Sequence, residues 1–228
     1  MRSCKAATGT LGLWPKYPRH VLVTFEGTEG SGKTTLIRAL VERLRRQGVD
    51  VVSTREPGEG ELGAQVRQAL LHGGSLTPLA EAFLFLADRA QHCAEVIGPA
   101  LGAGKLVLCD RFADSTIVYQ GYGRGLDVEM LRRWNLEAAG SVWPDLTILL
   151  DLPVEVGLDR LSNRDRIDRE PVEFHERIRA GFLAEARREP RWAVLDAREG
   201  AETVIQEALR MILSHPAFGE RLPRTDRA

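Results

Sequence analysis

Residues 27–35 read GTEGSGKTT, directly after the apolar run Val21, Leu22, Val23, Thr24 and Phe25 and directly before Leu36, Ala39, Leu40 and Leu44 at helical spacing. A strand that empties into a glycine-rich turn and then into a helix is a narrow structural specification. Gly27 is followed by four residues and then by Gly32, Lys33 and Thr34. The glycines let the backbone turn sharply, so that successive N–H groups converge where a Cβ would obstruct an anion. The positive end of the following helix adds to the attraction. Gly27, Thr28, Glu29, Gly30, Ser31, Gly32, Lys33, Thr34 and Thr35 are therefore expected to cradle the phosphates of a nucleoside triphosphate. Lys33 would reach the β- and γ-phosphates, and the Thr34 hydroxyl would ligate the bridging Mg²⁺.

Apolar runs alternate with helical patterns along the rest of the chain, the arrangement of a parallel sheet covered by helices. The spacing predicts strands at 20–26, 50–54, 105–109, 145–151 and 191–196. Helices are predicted at 33–47, 60–72, 78–102, 127–140, 153–161, 172–188 and 201–213. The fold class is α/β: a three-layer sandwich of the phosphate-loop NTPase type, with a five-stranded parallel sheet and a small lid segment. No internal repeat or low-complexity linker divides the 228 residues, so a single domain over 20–213 is expected. Residues 1–19 read as an extension and 214–228 as a tail.

Ligands of such sheets collect beyond the carboxyl ends of the strands, so chemistry is sought just after each one. The second strand exits into TREPG, where Arg55 either grips an anion or sits exposed in a loop. A cis bond before Pro57 is open. The third exits into DRF, where Asp110 is placed to hold a metal-bound water and Arg111 to meet phosphate charge; a structural ion pair is the alternative. Ser115, Thr116, Tyr119, Gln120 and Gly121 form a hydrogen-bonding cluster suited to a nucleobase pocket. In AEAFLFLADRAQH, residues 80–92, apolar side chains surround the helix yet Asp88 and Arg89 interrupt it. Phe85 and Arg89 share one face, able to stack a base and hydrogen-bond its edge, or to serve as core and ion pair.

Arg160, Arg164, Arg166 and Arg169 crowd one polar connection between two helical patterns. Such a run is either a solvated loop or a lid whose arginines close over phosphates. The phosphate loop has no arginine of its own, so the lid, about 160–171, is the expected source of a transition-state cation.

Lysine plus arginine number 31 against 32 aspartates and glutamates, which argues against broad nucleic-acid or membrane binding and for a small-molecule substrate. Cys4, Cys93 and Cys109 show no paired spacing, so neither a disulfide framework nor a zinc site is indicated and a cytoplasmic location is expected. No apolar stretch has the length of a membrane span, and residues 1–19 lack the apolar core of a signal peptide.

FEGTEGSGKTT, TREPG, LFLADRAQH, CDRFADSTIVYQGYGRG and DRE followed by FHERIRAGF occur in one order and spacing. Together they resemble the bacterial thymidylate kinases over residues 20–213. The resemblance implies transfer of the ATP γ-phosphoryl group to thymidine 5′-monophosphate, with Mg²⁺ bound by Thr34 and Asp110, in a homodimer. It implies that Arg55 and Arg111 hold the acceptor phosphate, Phe85 stacks on thymine and Arg89 bonds its edge. Glu29 would face the deoxyribose hydroxyl or a metal. Ser115, Thr116, Tyr119 and Gln120 would complete the nucleoside pocket, the last three helping to exclude a ribose 2′-hydroxyl. It further implies the subtype whose catalytic arginine lies in the lid, with Arg164 and Arg166 as candidates beside Lys33 and Arg111. The chain departs from the pattern in EGELG after TREPG, in a short lid, and in Phe182 where a tyrosine is common. A kinase for another nucleotide and a non-catalytic nucleotide switch are the rival readings.

Overall fold

A computed structural model describes residues 21–140 and 142–216. The expected extension at 1–19 and the tail beyond residue 216 lie outside the described residues. The sheet comprises β1 (Val21–Glu26), β2 (Val51–Arg55), β3 (Leu106–Asp110), β4 (Leu146–Asp151) and β5 (Trp192–Asp196), all parallel, in the order β2-β3-β1-β4-β5. Burial follows position in this order. Central β1 is buried throughout, whereas edge strands β2 and β5 alternate with exposed or half-buried residues. That is why only β1, β3 and β4 read as continuous apolar runs.

Successive side chains of a strand serve opposite faces. Val21, Val23 and Phe25 pack with Leu36, Ile37, Leu40 and Leu44 of α1 (Lys33–Arg46) and with Ile205, Ala208 and Ile212 of α9 (Ala201–Ser214). Leu22 of β1, with Val107 and Cys109 of β3, packs on the other face against Cys93, Ile97 and Phe112. That face carries α2 (Gly60–His72), α3 (Pro78–His92), α4 (Gly98–Gly102), α5 (Ala113–Thr116), α6 (Val128–Ala139) and α8 (Val172–Ala186). Thr77 caps α3, its hydroxyl accepting from the Ala80 N–H at 3.3 Å with Pro78 in the first turn. A π-helical turn, Cys93–Ile97, joins α3 to α4, so the single helix predicted over 78–102 is continuous but locally underwound.

The one helical region the sequence pattern did not indicate is α5 with its π-helical continuation Ile117–Gly123. β-branched Thr116, Ile117 and Val118 and two glycines give it low intrinsic helicity. Burial overrides that preference: Ile117, Val118 and Tyr119 are core residues, and a Cβ on Gly121 would lie 2.9 Å from Val128.

The register fixes the site. Arg55 pairs with Asp110, and Asp110 with Phe25, so the exits of β2, β3 and β1 lie abreast. α7 (Val154–Asp159) follows β4 and leads into residues 160–171, which cross the same end of the sheet before α8. Among the described residues no helix is long and apolar enough to cross a membrane.

Candidate active site

Two cavities share one wall, the glycine-rich loop between β1 and α1. The loop needs its glycines: Gly30 and Gly32 have φ of 68° and 94°, and a Cβ on Gly30 would stand 2.0 Å from the Gly157 carbonyl oxygen. Lys33 folds back over the loop, and its Nζ donates to the carbonyls of Gly27 at 3.0 Å and Thr28 at 2.9 Å. Burial, and then the charge of Arg111, lower its pKa to about 8. The Thr34 hydroxyl donates to Asp110 Oδ2 at 2.7 Å.

The larger cavity, about 570 Å³, is lined by Gly30 to Thr35, by Arg160 and by the α9 entrance at Ala201 and Val204. The whole glycine-rich stretch Gly30–Thr35 borders it, which suits a polyphosphate. The second, about 330 Å³, adjoins it through Gly30, Lys33 and Thr34. Arg55, Phe85, Arg89 and Asp110 line it, as do Arg111, Ser115, Thr116, Tyr119 and Gln120. The sequence-predicted acceptor residues are thus gathered around one cavity, together with Glu29.

Arg111 follows β3 with φ of 67°, the one positive φ outside glycine among the described residues. Its guanidinium donates to Gly27 O at 3.0 Å, Ser115 Oγ at 3.2 Å and Glu29 Oε1 at 3.1 Å, and lies over the Tyr119 ring. The turn is clamped by Glu26, whose carboxylate accepts from the Phe112 N–H at 2.8 Å and the Ser115 hydroxyl at 2.6 Å. Burial, and then the neighbouring Asp114, raise the Glu26 pKa to about 8. Glu29 has the opposite environment. Its burial alone would raise its pKa, but a hydrogen bond from His175 Nδ1 at 3.2 Å and the charge of Arg111, with further help from Lys33 and the Tyr119 hydroxyl, hold it at about 2. A carboxylate held in its ionised form therefore borders the smaller cavity.

Arg89 is 1 % exposed. One arm donates to Glu56 Oε2 at 2.6 Å; the other donates to Thr116 Oγ1 at 3.0 Å and to Asn135 Oδ1. Glu56 also meets His92 Nδ1 at 2.9 Å, and the Glu56–Pro57 bond is cis. The Arg89 Nε–H and the Gln120 Oε1 atom are both buried and have no hydrogen-bond partner among the described residues. Gln120 is oriented from behind, its amide Nε2 donating to Glu81 at 2.8 Å. Arg89 is thus paired with a buried acid through Nη2, while its Nε–H is not used by that pairing.

The lid arginines are distributed differently from the sequence expectation. Arg160, a member of the same arginine cluster, donates to Gly30 O at 3.2 Å and lines the larger cavity. Arg164 donates to Leu158 O at 3.2 Å, and Arg166 to Leu70 O at 2.8 Å and to Glu81. Neither Arg164 nor Arg166 is among the residues bordering the two cavities. Leu161, Asp165, Ile167 and Asp168 of the same segment do border the smaller one, so the segment forms part of its cover.

Glu26, Glu56, Glu81, Asn135 and His175 escaped sequence reasoning. Only Glu56 carried a local signal, its place in the turn after Arg55; the others acquire a role through partners distant in the chain. Thr34 and Asp110 supply oxygen donors, the chemistry a magnesium ion selects. Among the described residues no three histidine, cysteine or acidic side chains are grouped so as to hold a metal ion by themselves.

A family model described as thymidylate kinase matches residues 25–208. A thymidylate kinase of Desulfovibrio desulfuricans is 53 % identical over 198 residues, covering 81 % of this chain and 91 % of the relative. One from a Synechococcus strain is 51 % identical over 189 residues, covering 83 % and 92 %. The crystal structure of thymidylate kinase from Ehrlichia chaffeensis superimposes with a TM-score of 0.71 at 36 % identity, over 85 % of this chain and 99 % of that one. With its loop, its two adjoining cavities and this similarity over most of its length, the chain belongs to the thymidylate kinase family.

Proposed function

We propose that this chain transfers the γ-phosphoryl group of ATP to thymidine 5′-monophosphate, forming the diphosphate and ADP. The observation that carries the choice of acceptor is a pair of buried, unpartnered atoms on two side chains that border the smaller cavity. Gln120 Oε1 can only accept and Arg89 Nε–H can only donate. Thymine presents the complement, an N3–H donor beside a C4 carbonyl acceptor. Cytosine reverses both groups and would leave two buried polar atoms facing like partners, a mismatch worth orders of magnitude in specificity.

The remaining roles follow from position. The larger cavity takes ATP on the backbone of residues 27–35, with Lys33 against its phosphates. Thr34 and Asp110 would hold Mg²⁺, whose chemistry when bound would be to neutralise charge on the phosphate oxygens. Arg55 and Arg111 hold the acceptor phosphate, and Phe85 supplies an apolar wall for the base. Glu29, fixed as an anion, faces the sugar, where Tyr119 and Thr116 limit the room for a ribose. The acceptor phosphate is itself the nucleophile, so alignment and charge neutralisation carry the reaction and no general base is needed. The loop lacks an arginine, so the catalytic cation comes from the lid, over about 160–171. Arg160 is the nearest, while Arg164 and Arg166 would have to exchange their present bonds to reach the phosphates. Arg160→Ala is expected to lower kcat by about a hundredfold, more than it raises KM; a change confined to KM would remove this role.

The active form is a cytoplasmic homodimer, in keeping with buried free Cys93 and Cys109. Leu79 and Phe83 of α3 are 43 % and 51 % exposed, and Phe83 lies 5.1 Å from Trp134 of α6. This apolar face is the proposed contact, and Phe83→Lys should release monomers in light scattering at micromolar concentration. The function itself is tested by a steady-state screen of purified protein with ATP and the common nucleoside monophosphates. Thymidine monophosphate should give the highest kcat/KM; preference for a purine, or no ADP with any acceptor, contradicts the reading.

A further inference from the structure

Glu81 has no place in the chemistry above, yet it is 1 % exposed and gathers partners from both sides of the site. Its Oε1 accepts from Gln120 Nε2 at 2.8 Å and Arg124 Nε at 3.2 Å, and its Oε2 from Arg166 Nη2. Gln120 belongs to the acceptor cavity, with its opposite amide atom left for the base. Arg166 belongs to the lid, where its backbone N–H also donates to Leu71 O at 3.1 Å and its Nε to Leu70 O at 2.8 Å. Arg124 brings in a second lid residue, since its Nη1 lies 2.7 Å from Glu170. At its other end the same segment sets Arg160 on the Gly30 carbonyl. Residues 160–170 are therefore fastened at one end to the triphosphate loop and at the other, through Glu81, to the base pocket.

We propose that Glu81 is a positioning residue that couples occupation of the base pocket to the lid, and through the lid to ATP. The proposal rests on the acceptor reading of Gln120. When an imide N–H donates to Gln120 Oε1, the amide plane is fixed and Nε2 is held on Glu81. The carboxylate is then fixed for Arg166, which ties down the lid end opposite Arg160. A buried charge held by several donors transmits such an orientation because every alternative leaves one of them unpaired. By reciprocity, ATP bound under the lid stabilises the same arrangement and tightens the acceptor site.

The test is isothermal titration of thymidine monophosphate into the full chain with Mg²⁺, with and without a saturating non-hydrolysable ATP analogue. Wild type, Glu81→Gln and Arg166→Met are compared. Wild type should bind the monophosphate at least about fivefold tighter with the analogue present. In both variants the ratio should fall to within about twofold of one. Glu81→Gln keeps an oxygen acceptor for Gln120 and removes the charge that holds Arg166. Arg166→Met, at a partly exposed lid position, decides the matter where Glu81→Gln fails to fold. A purely structural role would lower Tm and leave the ratio intact. An unchanged ratio in the variants, or no coupling in wild type, overturns the proposal. Wild type that binds the analogue but not the monophosphate overturns the acceptor reading instead.

Discussion

The two cavities are built from different materials. The larger is bordered by one contiguous glycine-rich stretch, Gly30 to Thr35, with Lys33 held by neighbouring carbonyls. The smaller combines apolar walls with charged side chains brought from distant elements: Glu56 meets Arg89 across 33 positions, and Glu29 meets His175 across 146. A backbone cradle recognises phosphate, which many nucleotides share. A pocket whose donors and acceptors are fixed by ion pairs recognises a pattern, at the cost of making its specificity part of the fold.

This difference predicts unequal consequences for removing one cation from each side. Arg89→Met leaves Glu56 buried with the His92 imidazole as its remaining close ion-pair candidate and no cation in place of the guanidinium. It should cost about 3–5 kcal/mol of folding stability, read by denaturant unfolding, together with the affinity for thymidine monophosphate. Lys33→Ala removes a cation held by carbonyl and hydroxyl oxygens. It should leave the unfolding midpoint within about 1 kcal/mol of wild type while lowering kcat by about 10²–10³. A stable Arg89 variant or a near-wild-type rate for the lysine variant would break the contrast.

A smaller effect sharpens it. Burial and Arg111 place the Lys33 pKa at about 8, below the usual lysine range. The folded protein therefore holds this proton below pH 8 and loses it above. Polyphosphate brings negative charge to Nζ and raises the pKa again. ATP-analogue binding should take up about half a proton or more at pH 8.5 and almost none at pH 6.5, measured by calorimetry in buffers of different ionisation enthalpy. Lys33→Ala should abolish the uptake.

The same contrast explains what could be read in advance. The triphosphate loop is contiguous, so its spacing and its strand and helix flanks announce it. The sheet was legible because β1, β3 and β4, buried on both faces, read as apolar runs, and the β2 and β3 exits carried TREPG and DRF. Phe85 and Arg89 were legible as a pair because helical spacing places them on one face. Glu26 and Glu81 were not, since a carboxylate at the end of a strand or in the first turn of a helix has no local mark until its partners, 86 and 85 positions away, are in place. The helix at 113–123 was hidden by β-branched residues and glycines whose preference burial overrides. Within the lid, composition marked a cluster of arginines, but only tertiary geometry separates Arg160, on the loop carbonyl, from Arg166, on Glu81.

The central claim is that Gln120 Oε1 and Arg89 Nε–H read an imide edge. Its most direct test is the ratio of kcat/KM for thymidine monophosphate to that for deoxycytidine monophosphate, in wild type and in Gln120→Leu. The ratio should be about 10³ or more in wild type and should fall at least about tenfold in the variant. Equal use of the two acceptors by wild type, or an unchanged ratio in Gln120→Leu, would contradict the account.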